Sequence, residues 1–227
     1  MSNENITNAD EILTQRNYWN SEVNAFHSIY SHQKSKLARY LDQVFRKDMY
    51  DRFVFTIDNC APVERRSFLD VGCGSGIYSL ELARRGAASV TGLDIAENML
   101  EICRRSAAQE RVDDRCRFLH TDLLEYRADS SFDVSIGIGL FDYISDPLPV
   151  LKKMRQVTTD KAIMSFPRLY TWRAPVRKAR LSLKGCPVFF YTREKIGRLL
   201  KEAGFESHEV TKVGKLHCVI AHSGGRA

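Results

Sequence analysis

The sequence predicts an α/β fold with a largely parallel, doubly wound sheet. Two observations lead there. From Ser67 onward, short apolar runs alternate with helical stretches of ten or so residues, the texture of βαβ units. Glycines and acidic residues then follow the candidate strands, where ligands bind in such sheets.

The elements follow in order. Residues 8–60 read as helical. Trp19, Val23, Phe26, Ile29 and Tyr30 recur at helical spacing, as do Leu37, Leu41, Val44 and Phe45. The cluster Asn59-Cys60-Ala61-Pro62 breaks that pattern. Ser67–Val71 is the first strand, followed by a glycine-rich turn and a helix from Ser75 to Arg85, stopped by Gly86. Ala88–Leu93 is the second strand, with a helix from Ala96 to Ala108. Cys116–His120 and Phe132–Ile138 are the third and fourth. A helix spans Pro147–Val157, and Ala162–Phe166 is the fifth strand. Arg193–Ala203 is the last helix. Phe205–Thr211 and Leu216–Ala221 alternate as a closing hairpin around Val213-Gly214. The division expected is one domain: a helical cap (1–62), a core (67–166), a basic aromatic insert or lid (167–191), and a final helix and hairpin (192–222).

Composition narrows the classes. The 227 residues are 44% hydrophobic and 27% charged, which excludes a disordered or low-complexity chain. Val134–Phe141 is the longest apolar run, too short to span a bilayer. The N-terminus MSNENITNAD carries no signal-peptide pattern. Six cysteines show no CxxC and no zinc-like spacing; reduced thiols in a cytoplasmic protein, with no metal, are expected. The net charge of +6 is local. Between Lys161 and Arg193 lie eight basic and no acidic residues. Such a segment suits an anionic partner or a solvated face.

The chemistry sits after the strands. Asp70 is followed by Gly72, Cys73, Gly74, Ser75 and Gly76, a G-x-G-x-G turn. Its glycines permit a tight turn and close approach of a ligand. The spacing departs from the G-x-G-x-x-G of dinucleotide sites, and Asp70 suits a cationic or neutral ligand better than a pyrophosphate. Asp94 ends the second strand, placed to accept both hydroxyls of a ribose. His120-Thr121-Asp122-Leu123 ends the third, where a carboxylate can accept from an adenine amino group. Ile95 and Met99 would flank the ring. An NAD site is the alternative these residues leave.

Together, the stretches FLDVGCGSG (68–76), GLDIAENML (92–100), HTDLL (120–124) and FDVSIGIGLFDYISDP (132–147) resemble the class I S-adenosylmethionine-dependent methyltransferases. The resemblance implies a Rossmann-like, seven-stranded, mostly parallel sheet with the last strand antiparallel. It implies S-adenosylmethionine as cofactor and S-adenosylhomocysteine as product. Residues Gly72–Gly76 would cradle the methionine half, Asp94 the ribose, and Asp122 and Leu123 the adenine. Gly137 would lie against the cofactor.

Asp142 and Tyr143 are the acceptor-side candidates: Asp142 as a proton acceptor or a loop support, Tyr143 as an orienting group. His27 is a further base candidate, although a histidine between Phe26 and Ile29 is more often structural. His120 and His217 are read as structural. Tyr18 and Trp19 are candidate cofactor covers. The insert is similar in layout to that of magnesium-protoporphyrin O-methyltransferases. Arg168, Tyr170, Arg173, Arg177 and Tyr191 would hold a small, anionic, partly apolar acceptor. The alternative is an RNA methyltransferase whose insert grips phosphates. Nucleic acid is the less favoured partner, and the insert also allows peripheral membrane contact.

Overall fold

The computed structural model describes residues 36–169 and 188–224, together with Leu13 and Gln15, which are helical. His27, Tyr18, Trp19, Tyr170, Arg173 and Arg177 lie outside the described residues.

Helix α1 (Lys36–Cys60) precedes β1 (Ser67–Val71), α2 (Ile77–Arg84), β2 (Ser89–Asp94), α3 (Glu97–Glu110), β3 (Cys116–His120) and β4 (Phe132–Gly137). Then come α4 (Leu148–Val157), β5 (Thr158–Pro167), α5 (Arg193–Glu202), β6 (Ser207–Val213) and β7 (Leu216–His222). The seven strands form one sheet in the order β3-β2-β1-β4-β5-β7-β6. Strands β1 to β5 pair in parallel, and β7 runs antiparallel to both β5 and β6. This bears out the expected fold class.

The apolar runs read as continuous because both faces of the sheet are covered. Phe68 of β1, Val134 and Ile136 of β4 and Ile163 of β5 pack with α1, α2 and α3. Leu69 and Val71, with Met164 and Phe166, face α4 and α5 instead. The two sets alternate along each strand, as the pleat requires.

Three of the boundaries that differ from expectation do so for clear local reasons. Helix α2 starts at Ile77, because Gly76 sits at φ 77° and cannot be helical. Strand β5 starts at Thr158, four residues early, with α4 running straight into it. The Thr158 hydroxyl makes that junction: it lies 2.6 Å from the Met154 carbonyl and 2.7 Å from Ser135 Oγ. Strand β6 starts at Ser207, because Gly204 at φ 89° ends α5 and Phe205 is buried as a plug. No described helix is long and apolar enough to cross a membrane.

Candidate active site

The carboxyl ends of β1 to β4 converge on the glycine turn. Gly72 N and Cys73 N both donate to Leu93 O, at 2.8 and 2.9 Å. That pins the turn to β2. At Gly74 (φ 52°) an added Cβ would meet nothing within 4 Å, so the turn opens into free space there. Gly76 is the opposite case: its Cβ would lie 2.9 Å from Cys103 Sγ. Cys103 Sγ itself donates to Gly74 O at 3.0 Å. One glycine leaves room for a ligand, and the other lets α3 approach.

Asp94 ties the turn to the next loop. Its Oδ2 accepts from Gly74 N at 2.7 Å and its Oδ1 from Ala96 N at 2.9 Å. Each carboxylate oxygen can accept a second hydrogen bond, so two hydroxyls can still be received. Burial raises the Asp94 pKa, opposed by these backbone bonds and by His120. Asp122 is placed similarly after β3. Its Oδ1 accepts from Leu124 N at 2.7 Å, and burial raises its pKa. Thr121 N donates to Asp94 O at 3.1 Å, joining the two loops. Ile95 is half-buried, and Met99 and Leu123 are buried. Gly137 is buried too; its Cβ would press on Met154, Phe141 and Leu140.

Asp70 departs from its expected place. It is 1% exposed, and its Oδ2 accepts from Ser79 Oγ at 2.6 Å. Its carboxylate faces the first turns of α2 rather than open space. Burial pushes its pKa from 3.8 up to about 7. The folded state therefore favours the protonated acid, so stability is full below pH 4 and declines as pH rises towards 7. The Asp70→Asn variant removes this slope. Its stability relative to wild type is expected to rise between pH 4 and 7, by on the order of 4 kcal/mol at most. Urea melts across that window measure the difference; parallel curves would refute it.

Of the residues expected on the acceptor side, Asp142 is 5% exposed, and its carbonyl accepts from Phe189 N at 2.8 Å. The loop after β4 is thereby joined to the returning end of the insert. Tyr143 N donates to Leu140 O, and Tyr143 O accepts from Gln15 Nε2. Helical residues near the N-terminus thus reach this loop. Leu169 N donates to Tyr191 O, and Tyr191 N to Pro167 O, so the insert is closed at its base.

Tyr191 is a correction. It is 1% exposed, stacked edge-on to Phe166, and its hydroxyl donates to Ile144 O. Burial in the aromatic core leaves it no face for an acceptor. Arg168, also expected to hold an acceptor, donates from Nη1 to Gly214 O at 3.1 Å, bracing the hairpin turn. Among the described residues, no three His, Cys, Asp or Glu side chains are grouped to hold a metal.

One residue escaped the sequence reading. Arg52 of α1 stands beside Tyr78 at the start of α2, where its charge opposes the upward push of burial on the phenol, and its Nη1 would lie 3.5 Å from a Cβ at Gly139. Among the described residues its Nε, which is buried, has no hydrogen-bond partner. Among the described residues it makes no ion pair. A lone arginine on a helix carries no sequence signal.

Residues 68–161 match the family described as "Methyltransferase domain". The ubiquinone biosynthesis O-methyltransferase of Neisseria meningitidis serogroup C is 33% identical over 111 residues, 48% of this chain and 47% of that protein. The mitochondrial enzyme of that name from Arabidopsis thaliana is 28% identical over 143 residues, 62% of this chain and 42% of that protein. The chain thus spans about half the length of the curated relatives it matches. The crystal structure of magnesium protoporphyrin IX methyltransferase from Synechocystis PCC 6803 with bound SAH superposes with a TM-score of 0.74 at 19% identity. It covers 94% of this chain and 99% of that one, and supports the fold alone. The resemblance read from the strand-end motifs is borne out: residues 68–161 match a methyltransferase domain, and the sheet superposes on that of a solved methyltransferase.

Proposed function

We propose that this protein transfers the methyl group of S-adenosylmethionine to a small molecule. The observation that carries this is the Asp94 carboxylate, which ties the glycine turn to the adenine-side loop with two acceptor positions left for a ribose. Gly74 leaves space for the methionine half. Arg52, with a buried donor to spare, takes that half's carboxylate. Asp122 and Leu123 face the adenine, between Ile95 and Met99.

The cofactor supplies an activated methyl group on a sulfonium. The chain's own contribution is to align the acceptor with the C–S bond and exclude water. Such alignment contributes up to about 7–11 kcal/mol. Asp142 and Tyr143, on the loop after β4, flank the acceptor position; a neutral hydroxyl acceptor would use a base there, and an ionised one none. The curated relatives are named for ubiquinone biosynthesis, which favours a small, partly apolar acceptor, and the basic stretch between Lys161 and Arg193 favours one with anionic groups. Nothing in these comparisons favours RNA. Five free thiols among the described residues fit a reducing cytoplasm.

Labelled S-adenosylmethionine incubated with the protein and a fractionated cell extract tests the reading. Label in the small-molecule or lipid fraction is expected; label in RNA would overturn the substrate class. Arg52→Met is expected to weaken S-adenosylhomocysteine about tenfold, consistent with a charged hydrogen bond. It should leave 5′-methylthioadenosine, which lacks the carboxylate, unchanged. Calorimetric titration of both ligands decides, and equal losses would remove Arg52 from that role.

A further inference from the structure

We propose that His120 is a positioning residue for the adenosine half of the cofactor, bracing the β2–α3 loop from the end of β3. The proposal rests on the cofactor reading above. It revises the expectation that His120 is merely structural.

His120 is the register partner of Asp94 across β2 and β3. Its Nε2 lies 3.0 Å from Ile95 O, and its Nδ1 lies 3.4 Å from Glu97 Oε2. A carbonyl and a carboxylate can only accept. The protonated ring therefore donates on both sides. The neutral ring with its hydrogen on Nε2 keeps the Ile95 bond and loses the other. Glu97 is in turn held by Arg104 Nη1 at 2.6 Å, and Arg104 Nη2 donates to Phe118 O at 3.3 Å. The chain Arg104–Glu97–His120–Ile95 thus runs from α3 to β3 and back to the loop.

The loop needs that support. Helix α3 has Ala96 at its N-cap position, and that side chain offers no cap. On the inner side, Asp94 holds Ala96 N. On the outer side, His120 holds the Ile95 carbonyl. Ile95 follows the ribose acid directly and is the residue set beside the adenine. Fixing its peptide fixes both the ring's flank and the Asp94 carboxylate. The charged groups around the ring are Glu97 of α3, which faces it directly, Arg104 of α3, which reaches it only through Glu97, and Asp94 of β2, its register partner.

The test separates the two halves of the cofactor. Dissociation constants for S-adenosylhomocysteine and 5′-methylthioadenosine are measured on wild type, His120→Leu, His120→Gln and Glu97→Gln. His120→Leu is expected to weaken both ligands equally, by about three- to tenfold, the range of one hydrogen bond plus an exposed pair. His120→Gln, which keeps an N–H for Ile95 O, recovers part of the loss. Glu97→Gln loses about twofold. With a methyl acceptor in hand, KM for the cofactor rises and kcat at saturation stays constant. Affinities within 1.5-fold of wild type in His120→Leu, or a loss confined to S-adenosylhomocysteine, overturn the proposal. Absence of binding by wild type overturns the cofactor reading and this proposal with it. Melting temperatures within a few degrees of wild type show that the loss is not one of folding.

Discussion

Asp94→Ala is expected to raise the dissociation constant for S-adenosylhomocysteine by roughly a hundredfold or more, on the order of 3 kcal/mol. Two losses combine. The ribose hydroxyls lose their acceptor, and Gly74 N and Ala96 N, which Asp94 now satisfies at 2.7 and 2.9 Å, lose theirs. A buried donor left unpaired costs about 1–3 kcal/mol. The turn and the loop then no longer move as one unit. Asp94→Asn keeps one acceptor oxygen but turns an amide toward one of the backbone donors, so an intermediate loss is expected. Acid imitates the same change. Burial raises the Asp94 pKa, and only the carboxylate accepts from both N–H groups and both hydroxyls. Cofactor affinity should therefore fall as pH drops through that group's titration. Calorimetric titration over a pH series measures both effects. An Asp94→Ala protein that binds like wild type would remove Asp94 from the site.

Gly76→Ala is expected to cost about 2–5 kcal/mol of stability. A left-handed backbone costs a residue with a Cβ about 1–2 kcal/mol. Overpacking adds about 1–3 kcal/mol, because the new Cβ meets Cys103 Sγ at 2.9 Å and Cys103 Cβ at 3.4 Å. Cys103 has no easy retreat, since its thiol donates to Gly74 O. The prediction is read as a lower urea midpoint with an unchanged slope. A double-mutant cycle with Cys103→Ala should recover the steric part and leave the backbone part. Gly74→Ala provides the contrast. At φ 52° with nothing within 4 Å, it should cost only about 1–2 kcal/mol of stability. Its Cβ instead projects into the ligand's space, so binding suffers more than folding.

That contrast bears on how much could be read in advance. G-x-G-x-G is visible in the sequence as a turn that approaches a ligand. Which glycine serves the ligand and which serves the helix is not visible, because the partner of Gly76 is a thiol 27 positions away in the chain. Asp70 shows the same limit. A carboxylate beside a glycine turn reads as a ligand contact, but the rotation of β1 sends it under α2 to Ser79. Tyr191 and Arg168 read as an aromatic, basic rim. Packing assigns the first to the Phe141–Phe166 stack and the second to the hairpin turn. Arg52 gave no pattern, and His120, visible at the end of β3, gave no sign of its partners. Their roles exist only once α1 crosses to α2, and once β3 pairs with β2.

The sequence by itself determined the strand succession, the glycine turn, and the acids at positions 94 and 122. These are local matters: apolar period, glycine's φ, and short polar side chains at strand ends. It also determined the fold class, because alternating strands and helices with two buried faces have few ways to close. Tertiary structure alone decided which of those acids carry backbone donors, which aromatic residues are core, and which cations stand beside the cofactor loops. Such assignments depend on distances between residues far apart in the chain, and local pattern carries no information about them.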